Sequence, residues 1–399
     1  MSRATETKNP LGFLDEAMAQ LRADGLYRSL RILDGEQKAE AIFDHKDVIN
    51  LSSNNYLGLT THPKLREAAL DAVKRLGVGS GSVRTIAGTM ELHMELERRI
   101  AVFKKTEAAV VFQSGFTANA GTVSSVLGKE DLILSDELNH ASIIDGARLS
   151  RAEIRVYPHR DVVSLERVLE ETRDVKRRLV ITDGVFSMDG DIAPLPRIAE
   201  LARAHGAIMM IDDAHASGVL GRAGRGTVDH YDVHGAVDIQ VGTLSKAIGV
   251  LGGYVCGSKA LIEYLYHRAR PFLFSTSHPP AVAAACLAAF DVLEQEPERI
   301  ERLWANTRRF KEGLTRLRFD TGASETPITP IMVGEADLAM RFSDRLFERG
   351  VFAMGIGYPT VAKGKARLRT IVTATHTDED LDKALSILGD VGRELGVVS

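Results

Sequence analysis

Short apolar runs alternate with stretches of helical spacing through the middle of the chain. The runs cover Ala108–Phe112, Asp131–Leu134, Leu179–Thr182, Ala207–Ile211, Asp238–Val241 and Gly253–Cys256. Continuously apolar strands that are separated by helices are typical of a mostly parallel sheet with helices on both faces. The pattern therefore predicts an α/β fold with this sheet at its centre.

The pattern changes before this central region. Leu11, Leu14, Met18 and Leu21 lie at helical spacing, and they predict an amphipathic helix over residues 11–26. We expect this helix to lie ahead of the main body, with its apolar stripe available to a partner subunit.

The pattern also changes towards the end of the chain. Helices are predicted over residues 279–293, 297–317 and 336–348, and strands over residues 329–333 and 366–372. This change of rhythm indicates a second, smaller α+β unit. We expect an N-terminal helix and arm (1–50), a large domain (51–290) and a small C-terminal domain (291–399).

The composition favours small-molecule partners. A formal charge of −4 argues against a nucleic-acid or anionic-membrane surface, which needs an excess of Lys and Arg. The two cysteines, Cys256 and Cys286, lie in apolar stretches where a free thiol acts as a small hydrophobe. The first residues contain no apolar segment, and the longest apolar run, 279–290, is shorter than a bilayer span. These features predict a cytoplasmic protein that is not attached to a membrane.

Two titratable side chains follow neighbouring apolar runs. Asp212 and Lys246 both come where parallel strands end, which is where ligands bind in open α/β folds. Taken singly, the aspartate fits a turn or helix cap and the lysine fits a solvated surface. Together they are the pair that pyridoxal phosphate requires, a carboxylate that keeps the pyridine nitrogen protonated and an amine that forms the imine.

A phosphate site is predicted at the turn after the first run. Residues 113–119, Gln-Ser-Gly-Phe-Thr-Ala-Asn, follow a strand and open a helix, whose free N–H groups and dipole favour an anion. A simple helix cap is the alternative for Ser114. His140 is a candidate for stacking on the pyridine ring, with a structural histidine as the alternative, and the same alternative holds for His215.

A basic cluster near the end of the chain has two interpretations. It comprises Lys363, Lys365, Arg367 and Arg369. A run of charges is most often a solvated face, whereas one arginine among them could hold a substrate carboxylate bidentately.

Taken together, these stretches resemble the α-oxoamine synthases, fold type I pyridoxal-phosphate enzymes that condense an amino acid with an acyl-CoA. The matching stretches are 53–58 (Ser-Asn-Asn-Tyr-Leu-Gly), 79–84 (Gly-Ser-Gly-Ser-Val-Arg) with 88–89, 136–146, 183–190, 212–215, 242–246 and 274–276. The resemblance covers nearly the whole chain. It implies a mostly parallel central sheet covered by helices, a smaller α+β C-terminal domain and a homodimer whose subunits share the active site.

The resemblance also implies roles for individual residues. Lys246 matches the imine lysine, Asp212 the pyridine partner, His140 the stacking residue and His215 a contact to the phenolic oxygen of the cofactor. The other cofactor-binding positions match Gly115, Phe116, Ser187, Thr243, Ser275 and Thr276. The last two belong to a segment that reaches the cofactor of the neighbouring subunit. Substrate-binding positions match Asn54, His140 and Arg369, and no metal ion is expected.

Within the family, residues 357–369 and 270–275 most resemble the glycine C-acetyltransferase subfamily, also called 2-amino-3-ketobutyrate CoA ligases. This implies a reversible condensation of glycine with acetyl-CoA to 2-amino-3-oxobutyrate and CoA. Ser245 departs from that subfamily, and residues 277–282 resemble the 8-amino-7-oxononanoate synthase subfamily as closely. The alternative is therefore alanine with pimeloyl-CoA, or one enzyme with both activities.

Functions of other classes are also considered. A non-catalytic subunit of the same fold is one alternative, and the presence of both Lys246 and Asp212 argues against it. A nicotinamide-dependent dehydrogenase is less favoured, because Gly77, Gly79 and Gly81 do not complete a G-x-G-x-x-G motif after a strand.

Overall fold

The computed structural model describes residues 9–23, 27 and 29–399. Over these residues the strands are β1 (Glu40–Phe43), β2 (Lys46–Asn50), β3 (Ala108–Phe112), β4 (Leu132–Asp136), β5 (Glu153–Tyr157), β6 (Arg178–Asp183), β7 (Ile208–Asp212), β8 (Ile239–Thr243), β9 (Gly253–Gly257), β10 (Ile328–Gly334), β11 (Val351–Phe352), β12 (Met354–Ile356) and β13 (Ala366–Ile371). The α-helices are α1 (Phe13–Ala23), α2 (Pro63–Leu76), α3 (Glu91–Lys104), α4 (Gly115–Val126), α5 (Ala141–Ser150), α6 (Val162–Glu171), α7 (Leu195–Ala204), α8 (Thr227–His230), α9 (Lys259–Arg268), α10 (Arg270–Leu273), α11 (Pro280–Gln295), α12 (Glu298–Arg316), α13 (Ala336–Glu348) and α14 (Asp378–Glu394).

A seven-stranded sheet forms the centre of the fold, in the order β3-β9-β8-β7-β6-β4-β5. The strands from β8 to β5 pair in parallel, and β9 runs antiparallel to β3 and β8. The predicted α/β fold with a mostly parallel central sheet is confirmed. Because β3, β4, β6, β7 and β8 share one direction, the residues that follow them meet at one edge of the sheet.

Helices cover both faces of the sheet, which explains why its strands are apolar without alternation. In β3, Val110 and Phe112 belong to one apolar cluster with residues of α4 and α5. Ala109 and Val111 belong to the cluster on the other face, with residues of α3 and α11. Every residue of β6 is buried.

Two features of the sheets were not predicted. β5 is an edge strand whose residues are mostly exposed, with Val156 61% exposed, so its sequence lacks the apolar run that marks the inner strands. β1 and β2 form a hairpin that joins β11 in a small separate sheet. This pairing links positions about 300 residues apart, and no local pattern indicates such a contact.

The C-terminal unit contains the sheet β10-β13-β12, packed against α12, α13 and α14. The predicted smaller α+β unit is therefore present. The domain boundaries remain predictions, and the one placed at residue 290 falls inside α11.

α1 lies on the outside of this chain and has no buried residue. Leu11, Phe13, Leu14 and Leu21 are all exposed. The predicted helix is confirmed over its described part, whereas residues 24–26 lie outside the described residues. Within the described part of the chain, no helix has both the length and the apolar character needed to cross a membrane.

Candidate active site

A cavity of about 190 Å³ opens at the carboxyl edge of the central sheet. It is lined by Ser114, Gly115, Phe116, His140, Ser142, Asp183, Ser187, Asp212, Ala214, His215, Thr243, Ser245 and Lys246. These residues come from distant parts of the sequence. They lie at the same edge because most of them follow the carboxyl ends of parallel strands. Lys246, Asp212 and His140, the predicted catalytic set, thus line one cavity together with most of the predicted cofactor-binding residues.

Lys246 lies in the loop after β8 and points its amine into this cavity. Its Nζ lies 2.9 Å from Nε2 of His215. Burial lowers the pKa of Lys246 to about 8, although the charges of Asp212 and Asp183 oppose the shift. An amine with this pKa is a better nucleophile near neutral pH than a surface lysine. The interpretation of Lys246 as an ordinary surface lysine is therefore wrong.

His215 is buried between Lys246 and Tyr56. The Oη of Tyr56 lies 2.8 Å from Nδ1 of His215. Burial raises the pKa of Tyr56, so the phenol keeps its own proton, and its oxygen accepts from Nδ1 of His215. Burial, followed by the charges of Lys246 and Arg369, holds the pKa of His215 well below its usual range. The ring is therefore neutral. Because the amine of Lys246 donates to Nε2, the ring proton lies on Nδ1, facing the oxygen of Tyr56.

Asp212 and Asp183 end the neighbouring strands β7 and β6 and are paired in register. Oδ1 of Asp212 accepts the N–H of Ala214 at 2.8 Å, and its Oδ2 accepts from Nδ2 of Asn119 at 2.6 Å. Oδ2 of Asp183 accepts the N–H of His140 at 2.8 Å. Burial, and then the charge of Asp212, raise the pKa of Asp183 well above its usual range. Asp183 therefore favours its neutral form more than an exposed carboxyl group does.

His140 is the N-cap of α5 and forms part of the cavity wall. Its Nδ1 lies 3.2 Å from the N–H of Ser142 and 2.7 Å from the Oγ of the same residue. Burial lowers the pKa of His140, which favours the neutral ring. A neutral imidazole in this position is suited to stacking on a flat aromatic ligand.

The first turn of α4 forms another part of the wall. Ser114 caps the helix by accepting the N–H of Thr117 at 3.1 Å. The N–H groups of Gly115 and Phe116 lie in this turn, where an α-helix offers no intrahelical acceptor. These donors and the helix dipole suit an anion such as phosphate. Ser114 is therefore a helix cap, and it also lines the cavity; the phosphate site at this turn stays a prediction.

Arg369, on β13, lies beside this cavity. Its Nε donates to the carbonyl of Ser187 at 2.5 Å, and its Nη2 donates to Oδ1 of Asn54 at 3.2 Å. Both of these hydrogen-bond partners are neutral oxygens, whereas the nearby Arg367 forms an ion pair with Asp189 at 2.5 Å. Burial lowers the pKa of Arg369, which shows that its charge is poorly solvated. Of the two arginines in the basic cluster, Arg369 is the one available to a substrate anion.

Ser275 and Thr276 do not line the cavity of their own chain. Thr276 forms a bridge with Val83, and its carbonyl accepts from Nε2 of Gln113 at 2.8 Å. Its side chain is exposed on this chain. This position fits the expectation that the segment contacts the site of a neighbouring subunit.

Three residues that contact the predicted set were given no role from the sequence. They are Asn119, Tyr56 and Asp183, and each lies within a stretch that the sequence had marked. For Asn119 a signal existed, because it lies one helical turn after Gly115 and on the same face of α4. For Tyr56 no local signal exists, because its contact with His215 spans 159 positions.

A largely apolar groove begins next to Arg369. A cavity of about 280 Å³ contains Arg369 together with Phe43, Phe352, Met354 and Ile356. The same four apolar residues also line a larger cavity of about 1030 Å³, which extends to residues of α13 and to the N-terminal arm. The shared walls show that these two cavities adjoin, beside Arg369 and between the arm and the C-terminal unit.

Comparisons with known proteins place these observations in a family. Residues 46–388 match the family model described as aminotransferase class I and II. The chain is 62% identical to the 8-amino-7-oxononanoate synthase of Symbiobacterium thermophilum, over 97% of this chain and 99% of that protein. It is 58% identical to 8-amino-7-oxononanoate synthase 1 of Bacillus subtilis, over 96% and 98%. A solved structure of serine palmitoyltransferase from S. paucimobilis, described with bound PLP and myriocin, superposes with a TM-score of 0.93 at 31% identity, covering 98% of this chain and 100% of that one.

Proposed function

Because the chain belongs to the α-oxoamine synthases, pyridoxal-phosphate-dependent members of the class I and II aminotransferase family, we propose that it condenses alanine with pimeloyl-CoA to 8-amino-7-oxononanoate. CoA and carbon dioxide leave in the balanced reaction. The observation that carries this choice is the identity, over nearly the full length, to relatives of that name. These relatives do not support the first choice made from the sequence, glycine with acetyl-CoA, and the alternative replaces it.

The donor set of the cavity fits pyridoxal phosphate. Lys246 supplies an amine for the aldehyde, Asp212 a carboxylate for the pyridine nitrogen, and Gly115 and Phe116 supply N–H groups for the phosphate. His140 is placed to stack on the ring. We assign Thr243, Ser187 and His215 to the remaining contacts, and Ser275 and Thr276 to the cofactor of the neighbouring subunit.

The bound cofactor supplies an electron sink that stabilises a carbanion at Cα of the amino acid. Lys246 would be the base that removes the Cα proton, because its amine lies in the cavity that would hold the cofactor and the amino acid. Because its pKa is about 8, the amine of Lys246 can both take up and release a proton near neutral pH. Nε2 of His215, at 2.9 Å, accepts from the lysine amine and orients it.

Arg369 binds the carboxylate of the amino acid in this proposal. Its guanidinium donates to the neutral oxygens of Asn54 and Ser187, so a substrate anion would pair with a cation that is poorly solvated. Asn54 accepts from Nη2 of Arg369 and thereby holds the guanidinium in place. The amino acid is thereby oriented with Cα near Lys246.

The apolar groove supports a long acyl group. Phe43, Phe352, Met354 and Ile356 form walls that a seven-carbon chain covers and a two-carbon acetyl group leaves largely exposed. Burial of each methylene contributes roughly 0.8 kcal/mol, so a longer acyl chain gains binding energy here. This groove is the structural reason for favouring pimeloyl-CoA over acetyl-CoA.

A substrate panel tests the proposal. Purified enzyme loaded with cofactor is supplied with alanine or glycine and with pimeloyl-CoA or acetyl-CoA, and CoA release is followed. We expect kcat/KM to be highest for alanine with pimeloyl-CoA, by at least about tenfold. A preference for glycine with acetyl-CoA would overturn the proposal.

An Ile356→Trp variant tests the groove. The larger ring narrows the path beside Arg369, so kcat/KM for pimeloyl-CoA falls while KM for alanine stays unchanged. An equal loss for pimeloyl-CoA and acetyl-CoA would show that the acyl chain takes another path.

A further inference from the structure

Asn119 contacts two parts of the site that lie on different elements of the fold. It lies on α4 and is fully buried. Its Nδ2 donates to Oδ2 of Asp212 at 2.6 Å and to Oγ of Ser142 at 2.9 Å. We infer that Asn119 is a positioning residue that holds Asp212 and His140 in one arrangement before the cofactor binds. The inference rests on the roles proposed above for those two residues.

The contacts of Asn119 determine which group donates and which accepts in the neighbouring hydrogen bonds. An amide NH₂ has two protons, and both are used here, one by Asp212 and one by Ser142. Because Oγ of Ser142 accepts from Asn119, its own proton is free to be donated to Nδ1 of His140, at 2.7 Å. The N–H of Ser142 reinforces this contact at 3.2 Å. The ring proton of His140 is thereby placed on Nε2.

The same contacts restrict Asp212. Its Oδ1 is held by the N–H of Ala214 and its Oδ2 by Asn119, so the carboxylate cannot rotate without losing a hydrogen bond. Asn119 therefore fixes the direction of the carboxylate that we assign to the pyridine nitrogen.

An amide is the side chain that this position requires. A hydroxyl would supply one proton where two are used, and an ionised carboxylate would supply none and repel Asp212. Oδ1 of Asn119 is buried and has no partner among the described residues. An unsatisfied buried oxygen is costly, so a residue chosen for packing alone would be apolar here.

Cofactor affinity of the apoprotein tests the inference. In an Asn119→Ala variant, we expect the dissociation constant for pyridoxal phosphate, measured from the visible band of the bound cofactor, to rise about tenfold or more. The matched control is Asn306→Ala. Asn306 is also buried, and its Nδ2 donates to the carbonyls of Thr373 and His376 at 2.8 and 2.9 Å, in the C-terminal unit. The control should lose thermal stability as Asn119→Ala does, with unchanged cofactor affinity.

An Asn119→Asp variant separates positioning from packing, because it keeps the shape of the side chain. Near pH 8 its carboxylate repels Asp212, and cofactor affinity should fall below that of Asn119→Ala. As the pH is lowered to about 6, the carboxyl pair takes up one proton, which restores a hydrogen bond between the two groups. The ratio of the variant and wild-type dissociation constants should therefore shrink as the pH falls.

Two results would overturn the inference. One is wild-type cofactor affinity in Asn119→Ala, and the other is a loss of affinity in Asn119→Asp that does not change with pH. Failure of the proposed function is distinguishable from either. A wild-type enzyme that binds the cofactor but prefers other substrates changes the proposed reaction and leaves the positioning role of Asn119 intact.

Discussion

At the scale of single residues, the candidate site depends on which protonation state each buried group adopts. Lys246 has its pKa lowered to about 8 by burial, and His215 is held neutral by burial and by the neighbouring cations. Tyr56 supports one tautomer of His215, because its oxygen accepts the Nδ1 proton at 2.8 Å. The orientation of the lysine amine thus depends on a hydroxyl one residue further from the cavity.

A Tyr56→Phe variant tests the contact that links Tyr56 through His215 to Lys246. Loss of the hydroxyl leaves Nδ1 of His215 without its acceptor, which should cost about 1 to 3 kcal/mol of unfolding free energy. Both tautomers of the ring then become accessible, and kcat should fall about tenfold with a changed pH profile. Urea unfolding and the pH dependence of kcat measure the two effects.

Tyr254→Phe is the matched control for this variant. Tyr254 is equally buried, and its hydroxyl lies 2.7 Å from Oγ of Ser217, away from Lys246. It should lose similar stability while the pH profile of kcat stays unchanged. Identical profiles for wild type and Tyr56→Phe would contradict a role in selecting the tautomer.

At the scale of elements, the approach of α4 to β9 determines where the predicted phosphate turn lies. Gly253 begins β9, and a Cβ at this position would overlap the backbone of Ser114 and Gly115. A glycine is therefore required for the first turn of α4 to reach the cavity.

Gly253→Ala should displace that turn and weaken cofactor binding. We expect the dissociation constant for pyridoxal phosphate to rise at least about tenfold, because the overlap is with backbone atoms that cannot rotate away. Gly128→Ala is the control, since a Cβ at Gly128 would meet only Oδ2 of Asp131 at 3.9 Å. Unchanged affinity in Gly253→Ala would show that the turn tolerates movement.

A second element-scale contact joins the end of β4 to two loops. Nδ1 of His159 lies 2.9 Å from Oδ1 of Asp136, and Nε2 lies 2.8 Å from Oδ2 of Asp191. Burial lowers the pKa of His159, but the hydrogen bonds and charges of the two aspartates outweigh it and raise the pKa to about 9. The protonated ring therefore connects the two acidic groups.

His159→Gln tests the pH dependence of this contact. The folded-state pKa is raised above the unfolded value of about 6.5, so the stabilisation is complete below about pH 6.5 and is lost as the pH rises through about 9. The difference in unfolding free energy between wild type and variant should be on the order of 1 to 3 kcal/mol near pH 6 and close to zero near pH 10. A difference that is the same at both pH values would contradict this account.

At the scale of the whole molecule, two of the predicted cofactor-binding residues lie outside the cavity of their own chain. Ser275 and Thr276 do not line the cavity of their own chain, and the apolar residues of α1 are exposed. Both features are consistent with a homodimer in which each subunit completes the site of the other.

Mixing two inactive variants tests this arrangement. Lys246→Ala removes the amine, and Thr276→Asp places a negative charge where a cofactor phosphate from the partner would lie. In a mixed dimer one site carries both changes and the other carries neither. After random exchange of subunits, about half of the dimers are mixed, so about a quarter of wild-type activity should return. No recovery, with exchange shown by tagged chains, would place each site within a single chain.

The strands of the central sheet could be predicted from the sequence because they are buried on both faces. Their apolar runs are continuous, and their bounds agree with the structure to within one or two residues. β5 was missed because an edge strand with exposed residues has no such run. The hairpin of β1 and β2 was missed because β2 pairs with β11 from the far end of the chain.

For the site, the sequence by itself determined which residues follow the ends of parallel strands, and hence that Asp212, Lys246 and the turn at Gly115 meet at one edge. That conclusion needs only strand direction, which the alternation of runs and helices reveals. The tertiary structure alone decided the contacts of Asn119, Tyr56 and Arg369 with that set. Those contacts depend on how α4, the loop before α2 and strand β13 pack against the sheet, and packing between distant segments leaves no periodic signal in the chain.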